Sequence, residues 1–253
     1  MRRWLTYSVL ICLSLCWSGC DSPGAGCFST EGDIIEEEFD VAVFDKVIVW
    51  KRVKLFVSQG PVHRVVVRTG ENLIDEVNVR VEDGILKVSD RNSCNLFRDY
   101  DVTEVFVTAP NLIEIRNSSG LTVENIGPIR WPFLALFAED LLNEGEFQKD
   151  GDFYMTDLDV ESLRVDANGV STFYLEGRAS EANFGLFDGD VRLDAGNLLV
   201  DRLVVRHRST NKMIVHPLIA IRGWIRGIGD VIAKNQPPVV DVEESFRGRL
   251  IFE

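Results

Sequence analysis

The 253-residue chain predicts an all-β fold: a β-solenoid of right-handed β-helix type, preceded by a portion rich in strands and hairpins. Three observations predict it. From Phe39 onward, Val, Ile, Leu and Phe alternate with polar residues or gather in short runs bounded by Gly, Asn and Asp, and no segment carries a helical apolar period. In the second half, segments made of a strand, a polar break and a second strand recur at 112–126, 133–147, 163–175, 182–196, 203–215 and 218–233. Their breaks fall at Gly120, Asp140, Gly169, Gly189, Asn211 and Gly229, a near-constant period with one longer step between Asp140 and Gly169. Such a period, with small residues at corners, suits turns that stack on one another at about 4.8 Å. A β-sandwich of hairpins is the alternative, and it accounts for the first half equally well.

The first element is a leader. Arg2 and Arg3 precede an apolar run from Val9 to Trp17, then Ser18, Gly19 and Cys20. The run is too short to cross about 30 Å of hydrocarbon as a helix, so residues 1–19 read as a secretory signal peptide. The segment resembles a bacterial lipobox, with Trp17 where Leu is usual, which implies cleavage before Cys20 and its acylation, for example with palmitate. Residues 20–38, with Pro23, Gly24, Gly26 and Glu36-Glu37-Glu38, read as a flexible acidic tether. Cys27 and Cys94 then remain as one pair. In an oxidising envelope they form a disulfide on one reading and are unrelated thiols on the other.

The β domain is expected over 39–253, divided into a strand and hairpin portion (39–110), solenoid coils (111–235) and closing strands (236–253). Val47, Val49, Val53, Leu55 and Val57 fall on one side of a period-two strand interrupted by Lys51. Gln59-Gly60-Pro61 predicts a reversal into the next strand, and Asp83-Gly84 predicts a tight hairpin because glycine accepts positive φ. The acidic stretch from Gln148 to Asp159 reads as an insertion bulging from a corner. Gln236-Pro237-Pro238 breaks the rhythm, and two short apolar strands follow it as a closing element.

Charge excludes one class of function. Lys and Arg number 27 against 40 Asp and Glu, a net −13 that falls to −15 once residues 1–19 are removed with their two arginines, so no nucleic-acid partner is expected. An acidic surface is repelled by anionic headgroups, so membrane attachment would rest on acyl chains at Cys20.

Catalytic and metal patterns are weak. Asp166, Asp188, Asp190, Asp194 and Asp230 are the carboxylates that adjacent coils could bring together for glycoside chemistry, which needs two of them about 5 to 9 Å apart. Asp also belongs naturally at turns. His63, His207 and His216 lie in strand-like text without a companion motif. Gly227-Ile228-Gly229 lacks the third glycine and the βα unit of a dinucleotide site, and turn chemistry explains it better. Asp150-Gly151-Asp152 and Asp157-Leu158-Asp159 are rich in oxygen but lack calcium-loop spacing, and neither metal nor cofactor is expected. Trp131, Phe173, Tyr174 and Trp224 lie in or beside the coils, either packed inside or exposed for sugars or protein partners.

From Phe44 onward, several motifs occur in order: Phe44-Asp45-Lys46-Val47, Val57-Ser58-Gln59-Gly60, Glu71-Asn72-Leu73-Ile74 and Asp83-Gly84-Ile85-Leu86-Lys87-Val88. They continue with Val107-Thr108-Ala109-Pro110-Asn111-Leu112, a Ser-Ser-Gly corner at 118–120, and Gly227-Ile228-Gly229-Asp230-Val231 before Gln236-Pro237-Pro238. Across roughly 44–252 the chain resembles the head GIN domain family of auto-transporter adhesins. Asp140-Leu141 and Asn211-Lys212 depart from its Gly/Ser-rich corners. The resemblance implies a solenoid-like fold, a lipid-anchored lipoprotein of the bacterial envelope, expected at the outer membrane, and no catalytic residues. The function expected is non-catalytic presentation of a β surface to a protein or glycan ligand. An envelope carbohydrate-active enzyme on the same coils is the alternative.

Overall fold

The computed structural model describes residues 31–92, 103–140 and 147–253. The signal segment, most of the tether, Cys20, Cys27 and Cys94 lie outside the described residues. The all-β class holds: among the described residues, seventeen strands form one sheet that curls into a large, nearly closed, barrel-like wall around a single core. A 3-10 turn at Ile74–Glu76 is the one helical element among them.

The later half is the regular one. Four long strands, β11 (Phe153–Ala167), β12 (Thr172–Leu186), β13 (Arg192–His207) and β14 (Met213–Ile225), pair in parallel and in sequence order. Each is bent by register shifts and so crosses from one outer face to another. Register partners include Phe153 and Phe173, Ala182 and Leu203, and Leu199 and His216. The chain therefore advances one strand spacing per pass of about 20 residues.

The second halves of β11–β14, with β10 (Phe133–Ala138) before them and β16 (Val239–Glu244) after, make a first face. The first halves, with β9 (Val123–Asn125) before and β15 (Val231–Ala233) and β17 (Leu250–Phe252) after, make a second. Inside, Phe153, Phe173, Leu193, Met213 and Val231 form one fully buried row. The Phe153 and Phe173 rings stack at 4.8 Å. Each such side chain contributes roughly 2–3 kcal/mol by leaving water.

Backbones of successive passes nearly touch at one corner, which explains its small residues. A Cβ on Gly169 would lie 2.1 Å from the Lys149 carbonyl oxygen, one on Gly189 2.1 Å from that of Gly169, and one on Gly229 1.7 Å from that of Asn211. Gly227 and Gly229 do not have positive φ, so close approach rather than backbone conformation excludes a side chain there.

The earlier portion is wound into the same sheet by a different route. β2 (Lys46–Trp50) and β3 (Lys54–Gln59) are separate strands, because Lys51 and Arg52 adopt positive φ and turn the chain where a single strand is expected. β2 lies between β6 (Ile85–Asp90) and β8 (Glu114–Ser118), and β3 between β7 (Glu104–Ala109) and β9, all in parallel. The predicted reversal at Gln59-Gly60-Pro61 is present, since β3 runs parallel and β4 (Arg64–Gly70) antiparallel to β7, but β3 and β4 do not pair with each other: β4 pairs with β7 and with β1 (Ile34–Phe39). The Asp83-Gly84 hairpin is present between β5 (Val77–Glu82) and β6, with φ of 52° and 75° at its two turn residues.

Three expected boundaries move. Residues 34–38 are not tether but strand β1, held on β4 by main-chain pairing and a 2.9 Å Glu38–Arg64 ion pair. Phe153 to Asp159 is not an insertion but part of β11. The long step is already present where Ala138 pairs with Ala167, and it is gone where Val170 donates to the Lys149 carbonyl, so the extra residues fall between Ala138 and Lys149. Residues 239–252 do not lie over the stack as a lid. They extend it, β16 along β14 and β17 along β15.

Candidate functional site

The parallel registers decide which side chains share an outer row. On the second face, Phe106, Phe56, Glu124, Tyr154, Tyr174, Asp194, Ile214, Ile232 and Ile251 are successive register partners. Their neighbours along each strand, such as Leu55, Val57, Phe153 and Phe173, are fully buried, so this row points outward. Phe56 and Phe106 stack at 4.9 Å, and Tyr154 and Tyr174 at 4.7 Å. Burial and the nearby Asp152 carboxylate raise the Tyr154 phenol above its ordinary value, so it stays neutral at physiological pH. Strands about 4.8 Å apart make this a mostly apolar stripe roughly 38 Å long, aromatic at its upstream end.

Of the four aromatic residues singled out in the sequence, Phe173 is in the core, and Trp131 is too, its indole N–H donating to the Pro110 carbonyl at 3.1 Å. Tyr174 and Trp224 face outward. Phe56, Phe106 and Tyr154 escape a reading of the sequence by motif. A signal for one of them exists, since positions 154, 174, 194 and 214 recur at the period of the passes.

The first face carries a cleft of about 540 Å³ at its downstream corner. Phe187 and Trp224 supply its apolar walls, and Asn168, Asp188 and Arg208 its polar ones. At the far rim Lys149 bonds Asp140 at 2.9 Å and holds that carboxyl below its ordinary pKa. Beside the cleft, Asp166 takes the Arg164 Nε at 2.8 Å through one oxygen while its other, buried oxygen has no hydrogen-bond partner among the described residues. Burial raises the Asp166 pKa.

The five candidate carboxylates do not converge. Asp166 belongs to the first face and Asp194 to the second, where Arg192 pairs with it at 2.9 Å. Asp188, Asp190 and Asp230 sit at corners, accepting from the Gly189 amide, the Thr210 hydroxyl and the Arg249 amide respectively. The histidines have structural settings. His63 Nε2 bonds the Phe44 carbonyl at 2.8 Å, His216 Nδ1 bonds that of Gly196 at 3.1 Å, and His207 is fully buried. Burial pushes the His207 pKa down to about 4. Asp157 and Asp159 both face Arg130, and Asp152 caps the Thr172 amide. Among the described residues, no group of three or more His, Cys, Asp or Glu is placed to hold a metal ion.

A family model described as "Putative auto-transporter adhesin, head GIN domain" matches residues 43–237. No curated protein matches the chain. Among solved structures, a putative adhesin from Bacteroides fragilis NCTC 9343 superposes with a TM-score of 0.76 at 18% identity, covering 89% of this chain and 100% of its own. A putative adhesin from Parabacteroides distasonis ATCC 8503 gives 0.65 at 15% identity, with 88% and 99% covered. A putative lipid binding protein from the same organism gives 0.60 at 13% identity, with 87% and 97% covered. At these identities the likeness concerns the fold.

Proposed function

The chain belongs to the head GIN domain family, and from that premise we propose that it is a non-catalytic adhesin of the bacterial envelope, anchored through lipid on Cys20. Its stacked parallel passes act as the coils of a solenoid, and the coils display the outer surface to a protein or glycan. The row from Phe106 to Ile251 carries this reading. A long outward stripe with paired rings costs solubility and contributes nothing to the core, so it is best accounted for by a ligand. Stacked tyrosines suit such a role, because each offers a rigid apolar face and a hydroxyl at low entropic cost. The leader and lipobox supply the envelope address, with the outer membrane as the expected site.

Purified full chain in detergent, screened on a panel of glycans and matrix proteins, tests the adhesion reading. Binding should fall at least tenfold, about 1.4 kcal/mol, in the Tyr154→Ala, Tyr174→Ala double variant. A panel hit indifferent to both changes would remove the stripe from the account. Mass spectrometry of the N-terminal peptide tests the anchor, which an unmodified Cys20 would refute.

A further inference from the structure

We infer that the first-face cleft is a separate binding site for an acidic saccharide, a sugar ring bearing a carboxylate. Charge complementarity is the starting point. The chain as a whole is acidic, and most of its described arginines are spent in ion pairs, from Arg64 with Glu38 to Arg249 with Glu244. In this cleft one guanidinium is left over. Arg208 lines it and makes no side-chain hydrogen bond or ion pair among the described residues, and Arg222 on β14 likewise has none. Arg206, the register partner of Trp224, bonds only the neutral Asn183 amide, at 3.0 Å. Arg222 stands in register with Asp241 and Arg206 is within electrostatic reach of Asp166, so Arg208, just past the end of β13, is the guanidinium in the cleft left for an anion supplied from outside.

The remaining walls select the kind of anion. The Arg226 guanidinium lies over Trp224 at 4.9 Å from the ring centre and holds the indole in place, with Phe187 as the second apolar wall. Aromatic surfaces of this kind take the C–H faces of a pyranose. Asn168 and Asp188 offer an amide and a carboxylate to ring hydroxyls. Asp188 accepts from hydroxyl groups, which a sugar ring offers at a distance from its carboxylate and a sulfate ion does not offer at all. The fork of Arg208 matches a carboxylate bidentately. The volume, about 540 Å³, falls in the range of small-ligand sites.

The experiment is calorimetric titration of the full chain in detergent with trigalacturonate, and with its methyl ester, which is neutral and keeps the same rings and hydroxyl groups. Trigalacturonate should bind, more weakly as salt rises, and the ester at least about tenfold less tightly. Arg208→Ala and Trp224→Ala should each cost about tenfold while Arg208→Lys retains part of the affinity. Melting temperature is read alongside, and since Arg208 is exposed its variants report binding and not folding. The Tyr154→Ala, Tyr174→Ala variant should bind trigalacturonate as the parent does, which separates this site from the adhesive stripe. No binding at millimolar trigalacturonate, equal binding of the ester, an unchanged Arg208→Ala variant, or retention on phosphatidylglycerol vesicles instead of the saccharide would each overturn the proposal.

Discussion

Residues 153–252 and residues 31–109 build the same wall by opposite means. In the later region each long strand pairs with the very next one in sequence, so a pass is locked as soon as its successor is made. In the earlier region β2 is flanked by strands that arrive much later in the chain, Lys46 facing Ile85 on one side and Glu114 on the other, and an antiparallel strand must be added beside β7. Equivalent faces thus arise from local order in one region and from long loop closure in the other. The later region should behave as a nearest-neighbour stack, and the earlier one as a unit that forms only whole.

Three changes probe that contrast. Phe173→Ala removes half of the internal ring stack and should lower unfolding free energy by about 3–5 kcal/mol in urea titration. Amide exchange should rise most in β11–β13 and least in β1, β4 and β7, whereas uniform loss of protection would mean the two regions are one cooperative unit.

His207 supplies the next effect. It is neutral and buried when folded, with a pKa of about 4, but takes up a proton near 6.5 when unfolded. The unfolded chain therefore binds protons first, and stability should fall as pH drops from about 6.5 to 4, by roughly 3 kcal/mol in all. His207→Leu, beside Leu186 and Ile225, should remove that slope in urea titrations at successive pH values. The smallest effect belongs to the earlier region. Gly84→Ala places a side chain at φ of 75° with no serious contact near it, so thermal melts should show a loss of only about 1 kcal/mol.

The same contrast explains what the sequence discloses. The period of the later region is legible because backbones meet at a corner, and only Gly fits at positions such as 169, 189 and 229. Asp140 misleads the count. It sits beside Asn168, which donates to its carboxylate, and not in the glycine row, so counting from it puts the added residues too late. The earlier region leaves no such trace, since partners as far apart in the chain as Lys46 and Glu114 create no period. Its one local pairing, the Asp83-Gly84 hairpin, is legible, and so is the reversal at Gly60-Pro61, though not that β7 comes to lie between the two strands it joins. For the sites, Tyr154 and Tyr174 can be aligned by spacing alone. The unpaired state of Arg208 depends on which acids the fold brings near, and that is a property of three dimensions.

The near-constant offset between passes in the later region also makes the molecule a ruler. Each further pass of about 20 residues would raise the wall by about 4.8 Å and lengthen the outward stripe by one position, leaving the cross-section unchanged. On the proposed adhesive reading, reach and specificity are written in different places: the number of passes sets how far the face extends, and one residue per pass sets what it meets. A lineage can tune the span of its contact by whole-turn duplication or loss without redesigning the core.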